Sequence, residues 1–269
     1  MNAADSCHDW TDANQQLLVA EFARIKARLA GEDFKTATDS ADEIRAELPT
    51  PSAIDRLVDC FGLSTFERDI LLLCAGVEMD ANLASLCAAT QGSPQRPYAT
   101  FSLALAALEE PHWSALSPIR PLRRWRIVDI TEESGLANAR LRIDERVLHF
   151  LAGINYLDTR LQPLLQTRGV AATMADSHRE TSQDILNALY EHNAQSPIIQ
   201  LLGDDHDGQA DIAAGVADEL GLQLHSLRAE DIPAGVSERD AFANLWQREL
   251  VLMSSALLID CRDPANAAA

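Results

Sequence analysis

The sequence predicts a mainly α-helical front with a small β wing, followed by a partial α/β module that runs strand, helix, strand, helix, strand. Three observations predict this. Alanine and leucine are abundant while aromatics make up only 5% of the chain, a bias toward good helix formers. In the first half, apolar residues recur at spacings of three and four, the period of amphipathic helices. After residue 182 short apolar runs alternate with helical stretches, as in parallel βαβ units with right-handed crossovers.

Residues 1–14 are polar and read as a frayed tail, and a helix is expected over 15–30 with Leu18, Phe22, Ile25 and Leu29 as its stripe. Gly31 stops it, and a short helix over 41–48 ends at Pro49 and Pro51, so 1–49 reads as an N-terminal helical segment. From Ser52, Ile54, Leu57, Val58 and Phe61 share one face, with Gly62 as a stop. Ser64 and Glu67 form a capping box, and the helix they open is apolar nearly all round through Ala75, which predicts a central position. Asp80 caps 81–91, and Thr100 opens a helix to residue 108. Residues 123–130 read as a strand pairing with 141–143 across a loop that holds Gly135. Asp144 then caps 145–152, and 157–166 reads as a helix. Helices followed by a small hairpin predict a winged-helix-like domain over 50–166, and the fading periodicity over 167–181 predicts a linker.

Within 182–269 the expected order is a helix over 182–192, a strand over 198–202 introduced by Pro197, a glycine loop, a helix over 209–220, a strand over 223–227, a helix over 238–254 and a strand over 256–260. Three parallel strands leave an edge and part of the faces uncovered, which such sheets rarely tolerate, so the chain is expected to be the front portion of a longer protein.

Gly203 and Gly208 stand five positions apart behind an apolar run, the shape of a loop whose backbone N–H groups converge on a phosphate. The usual pattern, G-x-x-x-x-G-K-[ST], is degenerate here, because Gln209 and Ala210 replace the lysine and the hydroxyl. Gln209 supplies no charge to the phosphates, Ala210 cannot ligate Mg²⁺, and Asp204, Asp205 and Asp207 repel a triphosphate. Asp260 ends an apolar strand, at the place of an aspartate that orients Mg²⁺, but Cys261 follows where a base would be needed. No catalytic residue is therefore expected in this chain. The aspartates of the loop lack a calcium-loop register, and His206 and His225 lack partners at zinc spacing, so no metal is expected. No G-x-S-x-G elbow is present.

The formal net charge of −19 argues against a polyanionic partner held by the overall field. Arg120, Arg123, Arg124 and Arg126, with Trp125 among them, form the one basic cluster, a candidate contact for a partner or for nucleic acid at the start of the wing. Asp129, Glu132 and Glu133 follow closely, and a structural role for the arginines is favoured. The five cysteines, Cys7, Cys60, Cys74, Cys87 and Cys261, are odd in number with no C-x-x-C spacing, as for free thiols in a reducing cytoplasm. Residues 1–10 lack a signal-peptide pattern and the apolar run 70–77 is too short to span a bilayer, so a cytoplasmic chain with no membrane partner is expected.

The segments Phe66-Glu67-Arg68-Asp69-Ile70-Leu71-Leu72-Leu73-Cys74-Ala75-Gly76-Val77-Glu78, Gln95-Arg96-Pro97-Tyr98-Ala99-Thr100-Phe101, His112-Trp113-Ser114-Ala115-Leu116-Ser117-Pro118, Pro121-Leu122-Arg123-Arg124-Trp125 and Leu141-Arg142-Ile143-Asp144-Glu145-Arg146-Val147-Leu148 resemble the N-terminal winged-helix region of a group of two-ring AAA+ ATPases. Members resemble those encoded with phage-tail-like contractile injection systems, and the likeness runs over roughly 50–262. It implies a helical and winged-helix domain, a first AAA+ module that is often degenerate, and a second, active module outside this chain. It further implies ATP and Mg²⁺ as cofactors of the full-length family, with none for this chain, and protein partners or self-assembly into a ring. Gly203, Gly208, Gln209, Ala210 and Asp260 are then the residues of a degenerate nucleotide site. The expected function is partner docking and ring assembly, with hydrolysis elsewhere; the alternative is a winged-helix regulator that binds DNA.

Overall fold

A computed structural model describes residues 3–131, 135–170, 173–191 and 198–261, with side chains from Trp10 onward. Glu132, Glu133, Ser196, Pro197 and the side chain of Cys7 lie outside the described residues. The chain divides into two compact units, Met1–Asn155 and Tyr156–Ala269.

In the first unit α1 (Ala3–Ala30) starts well before residue 15, so the expected frayed tail is helix. Asn14 helps to hold that end: its side chain donates to the Leu151 carbonyl and accepts from the Ala53 N–H, both at 2.9 Å. The stripe of Leu18, Phe22, Ile25 and Leu29 is buried as its spacing predicts. Next come α2 (Lys35–Glu47) and α3 (Ala53–Phe61), the latter capped by Ser52 and closed by Gly62 at φ +64°. The capping box of Ser64 and Glu67 opens α4 (Thr65–Met79), and Phe66, Ile70, Leu71, Leu72, Leu73 and Ala75 are all buried, so α4 is the central helix of its unit. Gly76 lets its neighbours close in, because a Cβ there would lie 2.7 Å from Leu83 on α5 (Ala81–Thr90) and 3.2 Å from Phe22.

Thr100 caps α6 (Phe101–Ala107), after which a single 3₁₀ turn, Trp113–Leu116, leads to α7 (Pro121–Arg124). The strand expected from residue 123 begins only at 128. Pro121 sets the first helical position of α7, and the chain turns through Arg126 at φ +49° before it enters the wing. The wing pairs β1 (Val128–Thr131) antiparallel with β2 (Arg140–Ile143), from Val128 opposite Ile143 to Thr131 opposite Arg140, and α8 (Glu145–Leu151) follows. The segment 1–49 is not a separate piece, since α1 supplies buried residues to the same unit.

In the second unit the helix expected over 157–166 is a series of turns, and β3 (Gln166–Arg168) occupies the start of the expected linker. Residues 156–168 group with this unit because Leu161 and Leu165 pack with Leu227, Leu245 and Trp246, while Asp158 pairs with the fully buried Arg248. Then come α9 (Asp176–Glu191), α10 (His206–Glu219), β4 (Gln223–Arg228), α11 (Val236–Met253) and β5 (Ser255–Asp260). The sheet runs β3-β4-β5: β4 and β5 are parallel across α11, and β3 is antiparallel to β4. Side chains alternate as a sheet covered on both faces requires. Leu224, Ala256 and Leu258 cluster with Ala214 and Ala217 of α10, whereas Leu227 and Leu257 cluster with Leu245 and Trp246 of α11.

The expected run of three parallel strands is therefore corrected. Residues 198–202 form no strand, and Ile198 (99% exposed) and Leu202 (81% exposed) face solvent. An extended apolar segment becomes a strand only where a neighbour takes its backbone hydrogen bonds, and among the described residues 198–202 has no sheet neighbour.

Candidate functional site

The glycine loop is the first place to test for phosphate chemistry. Gly203 sits at φ +147°, a conformation that favours glycine, and the Gln209 side-chain amide donates to its carbonyl at 3.0 Å. At the start of α10, Asp205 is the cap: its carboxylate accepts the Gly208 N–H at 2.9 Å. His178 of α9 lies 3.5 Å from the other Asp205 oxygen. A Cβ on Gly208 would overlap both the Asp205 carboxylate and the His178 ring, so this glycine makes room for side chains of its own unit. Ala210 is buried. The anion position at the helix start is thus filled by an internal carboxylate, and the residues present do not fit a triphosphate with Mg²⁺.

Asp260 belongs to the sheet. It ends β5 beside Arg228, which ends β4, and both line a cleft of about 370 Å³ together with Arg168, Ser226, Glu230 and Asp231. The carboxyl end of parallel strands is the usual ligand edge of an α/β sheet. Of the five residues expected at a nucleotide site, only Asp260 lines this cleft. Its charges are largely matched from within, since Arg228 pairs with Asp231 at 2.7 Å and with Glu230 at 2.9 Å. Below the cleft His225 is buried on β4, with Trp246 edge-on at 5.7 Å between ring centroids and no partner for Nε2. Burial holds its imidazole below the ordinary histidine range. Among the described residues no group of three or more His, Cys, Asp and Glu could hold a metal ion.

In the first unit the four arginines divide. Arg120 donates to both oxygens of the buried Glu67, at 3.2 and 3.1 Å, so it completes the capping box of α4. Arg123 donates to the Leu116 carbonyl at 3.2 Å, and the exposed Arg124 lies over the Trp125 ring at 4.7 Å. Arg126 occupies the left-handed bend that leads into β1. Ahead of the wing, α6 carries no charged side chain, and α7 is a single turn whose Leu122 is buried. On the wing itself Arg140 and Arg142 point outward, 3.6 and 3.8 Å from Glu78.

Two features of this region escape the sequence. Trp113 and Ile119 are exposed, although their apolar character alone predicts burial. A signal was available in the stretch 111–128, which holds four arginines and no acidic residue.

A family model described as "Winged helix domain, variant" matches residues 11–165, more than half of the chain. No curated protein and no solved structure matches it significantly. No single helix among the described residues is long and apolar enough to cross a membrane.

Proposed function

The chain belongs to the winged helix domain family, variant form, and from that premise we propose that it is the N-terminal, non-catalytic portion of an AAA+ ATPase of the contractile-injection-system type. In this reading the chain serves partner docking and ring assembly in the cytoplasm, and ATP is hydrolysed in a module outside this chain. The observation that carries docking is the one-turn α7 ahead of the wing, preceded in the chain by an α6 without charged side chains. Base readout needs a helix with several side chains that reach base edges in the groove. The non-catalytic role is supported by Asp205 capping α10, by Gln209 bonded back to Gly203, and by buried Ala210.

A second reading, a regulator that binds DNA, draws on the outward Arg140 and Arg142 of the wing with Arg124. One pair of measurements tests both. Incubation with ATP and Mg²⁺ is expected to release phosphate at background rate, and duplex DNA is expected to show no retardation even at low salt, where phosphate contacts are strongest. ATP turnover overturns the non-catalytic role; duplex binding abolished by Arg123→Glu with Arg124→Glu establishes the regulator instead.

A further inference from the structure

In a chain with a formal net charge of −19, the stretch 111–128 contains four arginines and no carboxylate. Two large apolar side chains stand out of the same stretch: Trp113 is 65% exposed and Ile119 is 80% exposed. Trp113 rests on the buried Phe101, whose ring meets its own at 81° with centroids 5.3 Å apart. The 3₁₀ turn that carries it packs against α7, and the hydrogen bond from Arg123 to Leu116 ties the two together. Arg120 is matched by Glu67, but no carboxylate pairs with Arg123 or Arg124 among the described residues. Arg124 is held over the Trp125 ring, which orients its fork without neutralising it.

We propose that the segment 113–124 binds an acidic peptide with one aromatic or aliphatic anchor, the anchor packing on the exposed Trp113 or Ile119 and the carboxylates pairing with Arg123 and Arg124. The proposal rests on the protein-docking reading and names the partner chemistry of that unit. Tryptophan and arginine are among the residue types enriched where a few side chains carry most of the binding energy of a protein interface. The guanidinium fork matches a carboxylate with two parallel hydrogen bonds. The strongly acidic remainder of the chain repels an acidic segment, which directs the partner toward this basic stretch. Duplex DNA is a poorer occupant: two unmatched charges fall well short of the roughly six to ten phosphate contacts typical of duplex binders.

A phage-displayed library of random short peptides, selected on the whole chain, tests this. The expected result is enrichment of peptides rich in Asp and Glu around a Trp, Phe or Leu. Synthetic copies followed by fluorescence anisotropy should lose about tenfold in affinity on Arg124→Glu and about tenfold on Trp113→Ala. Ile119→Asp, at a site open to solvent, gives a second variant if Trp113→Ala perturbs the circular dichroism. Enriched peptides without acidic residues, or with affinities unmoved by these changes, overturn the proposed face and leave protein docking standing. Failure to enrich any peptide overturns the face as well, and when joined by retention of labelled duplex DNA it overturns the docking reading too.

Discussion

Arg24 reaches from α1 to Asp69 of α4 with both terminal nitrogens, Nη1 donating at 2.9 Å, while its Nε donates to Glu21 at 2.8 Å. Both partners of the Arg24–Asp69 pair are almost sealed from water. Burial pushes the Asp69 carboxyl up, but the hydrogen bonds and charge of Arg24, with Arg68 beside it, outweigh this and hold it below the usual carboxylate range. Arg24→Met leaves the buried Asp69 carboxylate with Arg68 alone, and its expected cost, read from the urea midpoint, stays below the roughly 3–5 kcal/mol of a wholly unpaired buried charge. The double change Arg24→Met with Asp69→Leu should recover most of that loss. At the glycine loop, Gln209→Lys with Ala210→Ser restores the motif in sequence but leaves the Asp205 carboxylate on the α10 start. Calorimetric titration with ATP and Mg²⁺ should therefore show no binding by that variant, and measurable affinity would refute the account of the loop.

Gly62 shows how an element's end is set. It closes α3 in the left-handed region at φ +64°, and a Cβ added there would have nothing within 4 Å, so Gly62→Ala meets no clash and isolates backbone strain. A cost of about 1 kcal/mol is expected, seen as a lower Tm. Such ends are legible in a sequence because the cause is local: Gly62 stops α3, Ser64 with Glu67 starts α4, and the all-round apolar character of α4 marks it as central. The runs at β4 and β5 are legible for the same reason. What could not be read depends on distant neighbours. The polar first turns of α1 are held partly by Asn14 bonding to Leu151 and Ala53, β3 exists because β4 takes its hydrogen bonds, and 198–202 lacks a sheet neighbour among the described residues. The candidate site divides likewise. The missing lysine and hydroxyl are visible as Gln209 and Ala210, whereas the His178 contact that closes the loop depends on where α9 lies, and the exposure of Trp113 depends on what fails to cover it.

The two units carry their sensitive protonation sites in different places, so acid should affect them at different pH. In the second unit His225 is buried against Trp246, with Thr167 at 3.4 Å on Nδ1 and Nε2 unpartnered. Burial lowers its pKa from the unfolded value of about 6.5. The unfolded chain therefore binds a proton that the folded unit resists, and stability is lost as pH falls below about 6.5, by up to about 1.4 kcal/mol per pH unit until the folded pKa is reached. In the first unit the sensitive group is Asp69, whose folded pKa is depressed; its contribution is complete above the unfolded carboxylate value of about 3.9 and disappears only as pH falls through the folded one. Asp158 in the second unit follows the carboxylate pattern: burial raises it, and the opposing hydrogen bonds and charge of Arg160 with the charge of Arg248 bring it below its usual range. Between about pH 6.5 and pH 4, then, of these three groups only His225 changes its contribution, and it lies in the unit built on β4 and β5. Amide spectra collected stepwise through that interval should show resonances of β4 and β5 losing intensity to an unfolded set while those of α4 persist. His225→Gln removes the titrating group and should flatten the response of the second unit without moving the first; simultaneous loss of both sets in the wild-type chain would show that the buried imidazole does not govern the acid limit.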